Sequence, residues 1–114
     1  MRHSRLFLLY LAIGALGAPA AAIGAEDMPT FTVEMKDGAI TPLRLEVPAD
    51  RPFKIELRNT GNSPCEFEST ELHREKVLPG QSTSFMVIRK LSPGEYTFFD
   101  DFHPDAPSMV LIAK

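Results

Sequence analysis

The chain has 114 residues, with 12 Lys and Arg against 15 Asp and Glu and a formal net charge of −3. A single acidic domain of this size lacks the basic surface that nucleic acid requires, and a cation is the better-matched partner. There is one cysteine, so an internal disulfide is excluded, and packing, alone or with a bound ion, must hold the fold.

The N-terminus reads as a secretory signal peptide. Arg2 and Arg5 give it a basic start, residues 6–16 an apolar run, and Gly17-Ala18-Pro19 breaks that run ahead of small residues. The run is short for a membrane span. Cleavage is expected after Ala25, with Ala22 as the alternative, which divides the chain into a signal at 1–25 and a folded domain at 26–114. Loss of the two arginines leaves that domain more acidic still.

Phe31, Val33 and Met35 alternate with Thr32 and Glu34, the pattern of a half-buried strand. Asp37-Gly38 is a turn signal. Leu43, Leu45 and Val47 alternate again, and Phe53, Ile55 and Leu57 form the clearest strand face in the chain. Residues 59–64 are a loop by composition. In the strand that follows, Cys65 and Phe67 share one face and Glu66 and Glu68 the other. The charged residues 71–76 are expected to be irregular or a short helical turn. Residues 84–88 are an apolar strand, residues 96–99 an aromatic one, and residues 109–113 close the fold. Pro48, Pro52, Pro64, Pro79, Pro93, Pro104 and Pro107 all fall at strand ends or in loops, where proline costs no ladder hydrogen bond. About seven to eight short strands with Pro and Gly at the joints predict an all-β antiparallel sandwich.

Most carboxylates have an ordinary place: Glu34, Glu46, Glu56 and Glu95 alternate with apolar residues and belong to a solvated face. Glu66 and Glu68 share a face just after a proline-bearing loop, and two like charges that close repel unless a cation offsets them; a plain solvated face is the competing reading. Asp100, Asp101 and His103 follow the aromatic strand where it opens into a loop, and carboxylates with a histidine at that spacing can converge on one divalent ion. Cys65 reads first as a small buried hydrophobe. His73, between Glu71 and Glu75, reads as part of a solvated charge run, with a satellite ligand as the competing reading. A nucleophile elbow, a phosphate-cradling glycine loop and a CxxC pair are all missing from the sequence, so hydrolase and kinase chemistry have no support.

These stretches resemble the cupredoxins. Residues 59–66 are similar to the segment that carries that family's first histidine ligand, and Gly94-Glu95-Tyr96-Thr97-Phe98-Phe99 to its closing strand. The resemblance implies a Greek-key β-sandwich. It puts the family's cysteine ligand at Asp100, its loop histidine at His103, its first histidine at Cys65 or Glu66, and its axial methionine near Ser108 and Met109. A type 1 blue copper site needs a thiolate, so a carboxylate at position 100 argues against one. Glu66-Phe67-Glu68-Ser69, Glu75-Lys76-Val77, Pro79-Gly80 and Phe98-Phe99-Asp100-Asp101-Phe102-His103-Pro104 resemble, more closely, the EfeO/Ftr-type cupredoxin-like domain, which includes the periplasmic cupredoxin component of bacterial ferrous-iron transport. That resemblance implies an iron and/or copper ion, and assistance to iron oxidation or to metal or electron transfer. The partners it implies are a periplasmic iron-binding protein, a membrane iron permease and a ferredoxin-like membrane protein. The expected ligands are Glu66, Asp100 and His103, with Glu68 and Asp101 as supporting or alternative ligands. The alternative is a periplasmic copper carrier or resistance protein without a redox step, which would use Met35, Met86, Met109 and His103.

Overall fold

The computed structural model describes residues 28–114. They form nine strands: β1 (Thr30–Lys36), β2 (Ala39–Thr41), β3 (Arg44–Val47), β4 (Phe53–Asn59), β5 (Cys65–Ser69), β6 (Arg74–Leu78), β7 (Ser82–Ile88), β8 (Gly94–Asp100) and β9 (Met109–Ala113). The signal at residues 1–25 and the domain boundary at 26 lie outside the described residues. Among the described residues no helix is long and apolar enough to cross a membrane.

Two sheets result, a four-stranded one in the order β2-β1-β4-β7 and a five-stranded one in the order β3-β9-β8-β5-β6. The expected all-β sandwich is therefore present, with two differences in detail. The pairing is not antiparallel throughout: β1 runs parallel to β4, with Val33 beside Leu57, and β3 runs parallel to β9, with Leu45 beside Leu111. Parallel neighbours need a crossover between them. The chain supplies one by leaving the first sheet after β2, placing β3 in the second, and returning as β4. The segment expected to be irregular at 71–76 instead ends in the strand β6, preceded by a turn at residues 70–73. Its charge suits its place: β6 is the edge of the five-stranded sheet, where charged side chains deter pairing with another chain.

Strand alternation builds the core. Phe53, Ile55 and Leu57 from β4, Cys65 and Phe67 from β5, Phe98 from β8, and Met109 and Leu111 from β9 all turn inward and are buried. Phe67 and Phe98 stack nearly parallel, with ring centroids 4.4 Å apart and an interplanar angle of 10°. Period-two geometry then decides the rest. Because Phe67 points inward, Glu66 and Glu68 on either side of it must point outward. Because Phe98 and Asp100 point inward, Phe99 and Asp101 take the opposite face.

Candidate metal centre

Three carboxylates converge on the outer face of the five-stranded sheet. Glu66, Glu68 and Asp101 each place an oxygen within 4.8 Å of the others. Two come from β5, and the third from the turn that follows β8. Their neighbourhood is set by register: β5 pairs with β8 through Phe67 opposite Asp100 and Glu68 opposite Phe99, which carries Asp101 alongside Glu66. The backbone N–H of Asp101 donates to the Glu66 carbonyl at 3.0 Å and fixes that approach. On the other side β5 pairs with β6, which sets Glu75 directly across from Glu68.

The charges in this cluster oppose one another. Partial burial pushes the Glu66 carboxyl up to about 7. A hydrogen bond and the charge of Glu75 add to the effect, and the charges of Glu68 and Asp101 follow. Glu68 is also raised, by burial first and then by Asp101 and Glu75. A carboxyl that keeps a proton near neutral pH is a group that a cation can relieve. Hard oxygen donors at this separation, open to solvent on one side, suit a hard metal ion.

Asp100 and His103 sit apart from this face. Asp100 is buried on the inner side of the sheet, and its oxygens are all engaged. Oδ1 accepts from the backbone N–H of Glu66 and of Phe102, each at 3.0 Å, and Oδ2 lies 2.8 Å from His103 Nδ1. The expected set of Glu66, Asp100 and His103 is thus divided: the Glu66 side chain joins Glu68 and Asp101 outside, while Asp100 meets only its backbone.

Side-chain direction answers which residue of the Cys65-Glu66 pair faces inward: Cys65 does. Its Sγ lies 3.6 Å from Met35 Sδ in the core. Burial, and secondarily the charge of Asp100, push its thiol up to about 11, so it stays protonated and is a poor ligand and nucleophile at neutral pH.

Two contributors escape a reading of the sequence alone. Glu75 joins the outer cluster only because residues 74–78 form a strand; the apolar Val77 and Leu78 following the charges were the faint signal. Asn59 is buried, and its Nδ2 donates to the carbonyls of Ser63 at 2.9 Å and Pro79 at 3.0 Å, while its Oδ1 accepts from the Gly61 N–H at 3.0 Å. It fixes the loop that delivers β5, and a polar residue at a strand end carries no mark of that role.

The β1–β2 turn supports His103. Gly38 has φ +95°, and a Cβ there would lie 3.1 Å from both Cβ and Cγ of His103. Gly38→Ala is therefore expected to cost about 1–3 kcal/mol through backbone strain alone and to push the imidazole off Asp100. Denaturant unfolding and the imidazole NMR chemical shifts of His103 would check this. Unaltered shifts in the variant would show that the ring's position does not depend on the turn.

The family model of the cupredoxin-like domain matches residues 6–113. The chain belongs to this family. A relative of this cupredoxin-like protein, an uncharacterized protein of Rickettsia prowazekii (strain Madrid E), is 32% identical over 82 residues, which cover 72% of this chain and 66% of that one. The chain thus spans just under two thirds of that relative's length. Dithionite-reduced auracyanin from Roseiflexus castenholzii superposes with a TM-score of 0.63 at 13% identity, over 75% of this chain and 96% of that one. The metal-binding domain of the Cu(I)-exporting P-type ATPase CopA of Streptococcus pneumoniae D39, with Cu(I), superposes with a TM-score of 0.64 at 13% identity, over 78% and 89%. At these identities the likeness is one of fold.

Proposed function

We propose that this cupredoxin-like protein is an exported, periplasmic iron-binding protein of ferrous-iron uptake, which holds iron as cargo on Glu66, Glu68 and Asp101 with Glu75 beside them. The observation that carries the reading is the convergence of three carboxylates within 4.8 Å on one face. Carboxylates are hard donors, so the cluster favours ferric over ferrous iron; by holding that product it assists a one-electron oxidation whose electron goes to the ferredoxin-like membrane partner. The motif resemblance supplies the setting: iron passes between this protein, a periplasmic iron-binding protein and a membrane iron permease, with a ferredoxin-like membrane protein as electron partner.

A copper(I) carrier is the second reading, and the contact between Cys65 Sγ and Met35 Sδ favours it, since thiolate and thioether suit that ion. Copper would have to displace a proton from a buried thiol whose pKa is pushed up to about 11.

Titration of the full chain with iron(II) without oxygen, iron(III) citrate, manganese(II) and copper(I) separates the readings. The triple variant Glu66→Gln, Glu68→Gln, Asp101→Asn is expected to lose about a hundredfold in iron affinity and little in copper(I) affinity. Absence of iron binding by the wild type, or equal binding by the triple variant, would remove the iron reading. Copper(I) binding lost in Cys65→Ser would establish the other.

A further inference from the structure

We infer that Asp100 is a positioning residue for the outer carboxylate cluster and not one of its ligands, and that His103 acts on the cluster only through Asp100. This rests on the reading of Glu66, Glu68 and Asp101 as the metal site. Asp100 stands behind that site, on the opposite face of the sheet, and is 2% exposed. Its Oδ1 bridges two separate segments, taking the Glu66 N–H from β5 and the Phe102 N–H from the turn after β8. Glu66 and Asp101, which adjoins Phe102 in the chain, carry two of the three converging carboxylates.

One buried oxygen therefore ties together the two backbones on which the cluster is built. The ladder between β5 and β8 is short, with Phe67 opposite Asp100 and Glu68 opposite Phe99 as its paired positions. The Asp100 clamp continues that attachment past the last paired residue, where Asp101 leaves the strand. It is reinforced by the Asp101 N–H donating to the Glu66 carbonyl. His103 holds the other oxygen, Oδ2, at 2.8 Å and so fixes the orientation of the carboxylate. In the ion-free protein the carboxylates of Glu66 and Glu68 on one segment and of Asp101 on the other are like charges that oppose each other's approach. A clamp from behind offsets that opposition and keeps the oxygens close enough to share one ion.

A ligand and a clamp respond differently to substitution. An asparagine at position 100 keeps an oxygen for the two N–H groups and a polar atom for His103, but it loses the charge that a metal ligand contributes. Titration with iron(II) without oxygen and with iron(III) citrate, with denaturant unfolding as a parallel measurement, is made on the wild type, Asp100→Asn, Asp100→Ala and His103→Ala. Asp100→Ala is expected to lose about 10- to 100-fold in affinity, the usual range for removing a group that orients ligands. Asp100→Asn is expected to recover most of that loss, to within about threefold of wild type. His103→Ala, which leaves Oδ1 in place, is expected to lose no more than about threefold. In the amide spectrum of Asp100→Asn, Glu66 and Phe102 remain hydrogen-bonded.

A loss in Asp100→Asn as large as in Asp100→Ala, with folding intact, would make Asp100 a ligand and overturn the inference. A loss of tenfold or more in folded His103→Ala would do the same for His103. Wild-type affinity in Asp100→Ala would show that no clamp is needed. If Asp100→Ala does not fold, the asparagine and His103 variants still decide between ligand and clamp. Failure of the wild type to bind iron at all would instead strike the reading of the cluster as the metal site.

Discussion

Phe67→Ala is expected to destabilise the protein by about 3–5 kcal/mol, a large share of the roughly 5–15 kcal/mol that holds a small domain together. The ring is fully buried and stacked on Phe98 at 4.4 Å, so its removal leaves a cavity between the two strands that carry the candidate centre. The consequence reaches the surface. Phe67 lies between Glu66 and Glu68 in the chain and opposite Asp100 in the ladder, so the same side chain that fills the core holds the cluster's register. Iron affinity should fall together with stability in this variant. Phe67→Leu, which keeps much of the volume, should cost about 1–2 kcal/mol and leave the register unchanged. Urea unfolding with an unchanged m-value, paired with the metal titration, would measure both effects. A loss below 1 kcal/mol for the alanine variant would show that the stack contributes little to the core.

The legibility of the chain follows from which interactions are local. Alternation at Phe53, Ile55 and Leu57 and at Cys65 and Phe67 was readable because the period of two is imposed by the backbone itself. The inward turn of those residues, with Glu66 and Glu68 facing out, is what the structure shows. Strand β6 was not readable. Arg74, Glu75 and Lys76 look like a solvated run, and only their place at a sheet edge makes a strand of them. The parallel pairings were hidden for a related reason, since direction is set by the path of the chain between sheets and not by any residue in the strand. The candidate centre was legible in composition and not in arrangement. The sequence offers five acidic or imidazole side chains at 66, 68, 100, 101 and 103, but Asp100 and Asp101 are adjacent and must face opposite ways. Which of the two meets Glu66 depends on a single step of register between β5 and β8, a non-local quantity.

Acid is expected to act on the protein in opposite senses with and without metal. In the ion-free form Glu66 binds its proton more tightly when folded, at about 7, than at the ordinary value of 4.5 that applies to the unfolded chain. A carboxyl raised in this way stabilises the fold fully below the lower value, and that contribution is lost as pH rises through the higher one. Glu68 is shifted in the same direction and adds to the same slope. Cys65, raised from 9.0 to about 11, titrates well outside this window. The ion-free protein is therefore expected to be more stable near pH 5 than near pH 8. The difference should stay well below the full linkage value because these carboxylates face water. On the proposed reading metal displaces the proton from Glu66, which titrates at about 7, so binding should weaken as pH falls, by roughly fiftyfold between pH 7 and pH 5. The metal-bound protein should then gain stability as pH rises across the range in which the ion-free protein loses it. Iron(II) calorimetry without oxygen, in two buffers of different ionisation enthalpy, would count the released protons, and denaturant midpoints at pH 5 and 8 would give both slopes. Glu66→Gln should flatten the ion-free slope and abolish most of the proton release. Equal midpoints at the two pH values in the ion-free wild type, or iron binding without proton release near pH 6, would show that the outer carboxylates neither crowd one another nor share an ion.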